Sequence, residues 1–185
     1  MAAPAVAPLD FRAIWQQALP FAEMVAAASE VHRPLWEGIH RHATAPAWAV
    51  AAVPPGTALR LIMLTEDWCM DTVNTAPFLS RFTEAVRGVE LRFLARDAHP
   101  EVMDRYLTNG SRSIPVVIVL DGGFRELGHW GPRPKELQAW VLANKDTMPK
   151  EERLRETRKW YARDRGESTI REILAAAGVA APRPG

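Results

Sequence analysis

The chain reads as an α/β fold: a mixed four-stranded sheet flanked by helices, with further helices before and after it. Three observations predict this. From residue 59 onward, short apolar or β-branched runs alternate with helical periodicities in the order β-α-β-α-β-β-α. The last two strands are separated only by Asp121-Gly122-Gly123, the signature of an antiparallel hairpin. In the first half, the right-handed crossover rule leaves few topologies.

Taken in order, Asp10 is a helix cap before Phe11, Ile14, Trp15, Ala18 and Leu19, which recur at helical spacing as one apolar stripe. Pro20 ends or kinks that helix, and Phe21, Met24, Val25 and Ala28 restart the spacing. Pro34 suits the first turn of a helix carrying Leu35, Trp36 and Ile39, and a short helix is expected after Pro46. Leu59–Thr65 holds five apolar residues of seven without Gly or Pro, the pattern of a buried strand. After Cys69, the residues Val73, Ala76, Pro77, Leu79, Phe82 and Val86 form a helical stripe. Val89–Ala95 is a second strand; Pro100 opens a helix through Tyr106 and Leu107, which Asn109-Gly110 should end. Residues 116–120 and 124–130 make the hairpin, and Pro134 starts a helix through Asn144. Residues 150–165 hold seven basic and four acidic side chains around Leu154, Trp160 and Tyr161, a solvated helix packed through those three. Thr169 and Glu172 suggest a capping box for a last helix ended by Gly178, and residues 180–185 read as disordered. The expected organisation is a helical extension over 1–58, a core over 59–144 and a helical extension and tail over 145–185, together one structural domain.

Composition narrows the function. The 185 residues are 48% hydrophobic, enough for a sizeable core, and Lys+Arg 23 against Asp+Glu 22 gives a net charge of +1. No overall field recruits nucleic acid, and no apolar run reaches membrane-spanning length, so neither a nucleic acid nor a membrane is an expected partner. A single cysteine permits no internal disulfide, and the first eight residues lack the basic start of a signal peptide. A cytoplasmic location follows as the expectation. His32, His40 and His42 lie close in sequence, but His40 and His42 fall on different sides of a helix, so no metal is expected. The oligomeric state is left open.

The chemistry centres on that cysteine. A strand, a tight turn and a helix whose start holds a thiol place sulfur beside unpartnered backbone N–H groups, where the helix dipole favours an anion. The thiolate is the nucleophilic form. Trp68-Cys69-Met70-Asp71-Thr72 resembles the W-C-x-x-C site of the thioredoxin superfamily, with Thr72 at the place of the second cysteine. Pro77 stands where those proteins kink the active-site helix, and Ser113-Ile114-Pro115 resembles their cis-proline loop. A closer likeness is to bacterial thioredoxin-like proteins with a W-C-G-D type site and a W-G-P-R-P segment, here Trp130-Gly131-Pro132-Arg133-Pro134. Met63 occupies the strand position where many thioredoxins bury an aspartate.

That resemblance implies a thioredoxin-like fold over residues 59–144, with the closer likeness extending over most of the chain. It also implies a monothiol thiol–disulfide oxidoreductase with Cys69 as nucleophile, Thr72 steadying the thiolate and Pro115 shaping the substrate groove. Trp68, Met70, Asp71, Arg112, Ile114, Gly131 and Arg133 form the surroundings. Thr72 cannot resolve a mixed disulfide, so a second molecule must supply the thiol: glutathione as co-substrate, with protein or glutathione disulfides as partners. A helix terminus lowers a thiol by roughly 0.2–1.5 pKa units, Asp71, Glu66 and Asp67 oppose it, and Arg112 offsets part of that. The balance is an exposed thiol with a pKa of about 7–8.5. Asp71 either caps the helix or takes part in proton transfer, and the Trp130–Pro134 segment is either a rigid helix entry or presents Arg133 as an anion-binding residue. Two other functions fit the same residues: a redox-silent binding protein that keeps the groove, and a sensor that dimerises through a Cys69–Cys69 disulfide.

Overall fold

The computed structural model describes residues 8–182. The signal-peptide reading of the first residues therefore lies outside the described part, as does the end of the tail expected to be disordered. Four strands, β1 (Leu59–Thr65), β2 (Val89–Ala95), β3 (Val116–Asp121) and β4 (Glu126–Trp130), form one sheet in the order β2-β1-β3-β4. β1 runs parallel to β2 and antiparallel to β3, and β4 closes the antiparallel hairpin. This is the mixed four-stranded sheet that the alternation predicts.

Burial on both faces explains the near-continuous apolar strands. Successive side chains of a strand point to opposite faces, so β1 and β3 split their residues between two cores. Leu59, Leu61, Met63, Val117 and Val119 meet α2 (Phe21–Ala27), α3 (Arg33–His42), α4 (Ala47–Ala52), α5 (Met70–Ala85) and α9 (Glu167–Ala176). Ile62, Leu64, Val116, Ile118 and Leu120 meet α1 (Phe11–Gln17) and α6 (Pro100–Met103) on the other side. Phe82 and Leu79 of α5 are fully buried, each contributing roughly 1.5–3 kcal/mol by leaving water. α7 (Lys135–Ala143) and α8 (Lys150–Asp164) follow the hairpin and pack against each other.

Asp10 caps α1 as expected, its carboxylate accepting from the N–H groups of Arg12 and Ala13. The break at Pro20 does more than separate two helices. Leu19 exchanges both backbone hydrogen bonds with Phe93, covering part of the exposed edge of β2.

Three local expectations are corrected. α6 stops at Met103, and Tyr106 and Leu107 lie beyond it; Asn109 and Gly110 instead turn a small bridge between Thr108 and Ser111. β4 begins at Glu126, because Asp121 draws the N–H groups of Gly123 and Arg125 onto its carboxylate and holds 122–125 as a loop. The Thr169–Glu172 capping box does not form. α9 starts at Glu167 after left-handed Arg165 and Gly166, Asp164 accepts from the Ser168 N–H, and Glu172 is engaged elsewhere. Gly166 packs so closely on Phe78 of α5 that a Cβ there would overlap the Phe78 side chain at its Cβ and Cγ, which fixes the α8–α9 corner against α5.

Candidate functional site

Three distant stretches meet at the C-terminal end of β1. The chain leaves β1 at Thr65, turns through residues 66–68 and enters α5 with Cys69 at its N-cap. The Cys69 N–H donates to Glu66 O at 3.1 Å, and its carbonyl accepts from the Val73 N–H at 3.0 Å. The thiol Sγ lies 3.5 Å from the carbonyl oxygen of Ile114, to which it donates. The Ile114–Pro115 peptide is cis, and so is Gly131–Pro132. Gly131 sits at φ 137°, and a Cβ there would collide with the carbonyl of Pro115. Glycine is therefore required where the 130–134 segment lies across the proline loop.

The sulfur is not open to solvent. Cys69 is 7% exposed and joins the core on the α1 and α6 face, among Leu64, Val102, Met103 and Ile114. Burial pushes its pKa up; the Thr72 hydroxyl and N–H pull the other way and do not cancel it, and the Asp71 charge adds to the rise. The expected exposed thiol near pKa 7–8.5 is thus corrected. Desolvation shifts a fully buried group by up to about 3–5 units, against roughly 1.5 at most from a helix terminus, and the larger effect sets the direction. Thr72 is fully buried, and the Thr65 hydroxyl donates to its oxygen at 2.7 Å. Met63 is buried in the opposite core.

Trp68 is exposed, 48% accessible, with the Arg96 guanidinium 5.1 Å from its ring centroid. Arg112 does not offset negative charge at the thiol. Its guanidinium instead grips Asp104 in two hydrogen bonds of 2.7 and 2.8 Å on the surface.

Two residues past Cys69 the surroundings are polar. The Asp71 carboxylate accepts from Arg133 Nη2 at 2.6 Å and Nε at 3.0 Å, and from the Tyr161 hydroxyl at 3.0 Å. Arg133 also donates to Gln138. Asp71 is therefore an ion-pair partner, and α5 has no side-chain cap. The anion that Arg133 binds is this protein's own. Tyr161 is buried through α8, and burial with the neighbouring Asp71 charge raises its pKa well above the phenol range. Sequence reading gave Tyr161 a packing role only; the partner 90 residues away leaves no local signal. Glu172 of α9 similarly accepts from Trp130 Nε1 at 2.7 Å and from the Lys135 N–H at 2.9 Å, so both C-terminal helices are fastened to the site.

Alongside this ion pair lies a cleft of about 540 Å³ between the first turn of α5, the 108–113 loop, α7 and α8. Met70 and Asp71 line it, and Cys69 does not. Among the described residues no group of three or more His, Cys, Asp or Glu side chains is placed to hold a metal; His32 Nδ1 lies 3.2 Å from Asp67, and His40 Nε2 lies 3.5 Å from Glu84.

Comparison with known proteins supports the fold. A family model described as thioredoxin matches residues 18–155. A crystal structure of a Pseudomonas aeruginosa protein of unknown function superposes with a TM-score of 0.72 at 18% identity, covering 92% of this chain and 98% of that one. An HIV epitope-scaffold superposes with a TM-score of 0.73, also at 18% identity, over 93% and 100% of the two chains. Among curated proteins none matches.

Proposed function

The chain belongs to the thioredoxin family, and from that premise we propose that it is a monothiol thiol–disulfide oxidoreductase acting through Cys69. Within the family it is read as one of the W-C-G-D type, carrying Trp68-Cys69-Met70-Asp71-Thr72 and the Trp130–Pro134 segment. One observation carries the reading: the only sulfur of a cysteine in the chain sits at the start of α5 against the Ile114 carbonyl, next to Pro115. In the proposed step the Cys69 thiolate attacks one sulfur of a disulfide. The old S–S bond breaks, a new one forms to Cys69, and the leaving thiolate takes the electron pair and a proton from solvent. Thr72 has no sulfur, so a second thiol, such as glutathione in the cytoplasm, attacks the mixed disulfide and regenerates Cys69. Pro115 and Gly131 form the wall along which the disulfide lies, with Trp68 at its rim.

Burial sets the tempo. A thiol with its pKa above the ordinary value of about 8.5 is thiolate in only a few per cent of molecules or fewer at pH 7. Exchange is therefore slow at neutral pH and faster in base. Mass spectrometry after incubation with glutathione disulfide tests the reading: one glutathione adduct is expected on the wild type, at Cys69, and none on Cys69→Ser. An unmodified wild type at pH 9 would contradict it.

The same burial favours a second reading, a redox-silent binding protein using the groove. Partner binding unchanged in Cys69→Ser, together with an unmodified wild type, is its outcome. A Cys69–Cys69 dimer on non-reducing gels after peroxide is the mark of a sensor.

A further inference from the structure

The cleft beside Asp71 is lined by five cations, Arg133, Lys145, Lys150, Arg153 and Arg158, and by one carboxylate. Two of the cations are engaged. Arg133 holds Asp71, and Arg153 donates to the carbonyls of Lys145 and Met148, fastening the loop between α7 and α8. Lys145, Lys150 and Arg158 make no ion pair among the described residues. The spacing explains why they converge. Lys150, Leu154, Thr157, Arg158 and Tyr161 fall at i, i+4, i+7, i+8 and i+11 on α8, one face of the helix, turned toward the first turn of α5. Asp71, the only acid in the lining, is already neutralised, so the cleft presents positive charge in a chain whose net charge is +1.

We propose that this cleft binds a small thiol or disulfide carrying two or more carboxylates and brings it to the Cys69 end of α5. The volume suits a small ligand, since such pockets span roughly 300–1,000 Å³. Lys145, Lys150 and Arg158 pair with the carboxylates, while exposed Leu142 and Leu154 cover the aliphatic part. Ser111 and Ser113, on the approach to Pro115, offer hydroxyls to a peptide-like backbone. This inference rests on the thiol-exchange reading for its purpose and on the cleft alone for its chemistry.

The test separates the two. Exchange rates of the wild type and of a Lys150→Gln/Arg158→Gln double variant are measured with three disulfides, each normalised to its rate with free cysteine: glutathione disulfide (anionic), hydroxyethyl disulfide (neutral) and cystamine (cationic). Binding of S-methylglutathione, which has no thiol to exchange, is followed by calorimetry on the wild type and the double variant. The expected result is a preference of the wild type for glutathione disulfide of about three- to tenfold, abolished by the double substitution and weakened by salt. S-methylglutathione should bind the wild type and bind the double variant several-fold less. Equal normalised rates for the three disulfides, with S-methylglutathione not binding, would overturn the cleft and leave exchange at Cys69 standing. Charge-dependent binding of S-methylglutathione without exchange would uphold the cleft and overturn the exchange reading. The substitutions leave Cys69, Asp71 and Arg133 unaltered, and an unchanged rate with neutral hydroxyethyl disulfide shows that the double variant is folded with its thiol in place; a loss with all three disulfides alike would count against the cleft.

Discussion

Cys69 and Asp71 are two residues apart at the start of one helix, yet the protein treats them in opposite ways. The sulfur turns into an apolar core and has one weak acceptor, the Ile114 carbonyl. The carboxylate turns toward α8 and meets a guanidinium in two hydrogen bonds and a phenol in a third. A helix start offers the same dipole to both. The difference teaches that burial outweighs the helix terminus in setting the direction in which the Cys69 pKa moves.

The comparison can be broken from either side. On the thiol side, Gly131→Ala forces a Cβ into the Pro115 carbonyl at a backbone conformation that suits glycine, and should cost at least about 4 kcal/mol. Urea unfolding measures it, and a loss below about 1 kcal/mol would mean that the two proline segments slide apart freely. On the carboxylate side, Arg133→Ala leaves Asp71 without its cation and should cost about 3 kcal/mol, the lower end for a broken buried pair because Arg133 is partly exposed. Asp71→Asn placed on that variant should recover part of the loss. Tyr161→Phe removes one hydrogen bond to the same carboxylate and should cost about 1.5 kcal/mol.

A pH series sharpens the contrast with the smallest effect. The folded pKa of Cys69 is raised, so the unfolded chain loses its thiol proton first as pH rises. The stability contributed by keeping that thiol buried and neutral is fully present below about pH 8.5 and falls as pH climbs through the folded value. Wild type should lose stability relative to Cys69→Ala across that window. Tyr106, whose pKa is also raised, is common to both proteins and drops out of the difference, whereas the Cys69 charge adds to the rise at Tyr161 and steepens the loss in the wild type.

Much of this is legible in the sequence. The split of β1 and β3 between two cores follows from unbroken apolar runs, and Cys69, Ile114, Pro115 and Gly131 were grouped by motif before the fold brought them together. What stayed hidden depends on distance along the chain. No local spacing links Asp71 to Tyr161, Arg112 to Asp104 rather than to the thiol, or Glu172 to Trp130. Thr169 and Glu172 had capping spacing, but left-handed Arg165 and Gly166 set the start of α9 earlier. The burial of Cys69 escapes the local pattern for a similar reason: turn and helix imply an open N-terminus, while α1, α6 and the proline loop arrive from elsewhere to cover it.

The most direct measurement is the rate of Cys69 alkylation by iodoacetamide across pH 6 to 11, with unfolded protein in urea as the reference. If burial outweighs the helix terminus, the folded protein reacts more slowly at every pH below 9, and its inflection lies above the unfolded value of about 8.5. An inflection near or below about 7.5, with folded protein reacting faster at neutral pH, would contradict that ranking and return Cys69 to the class of activated thiols.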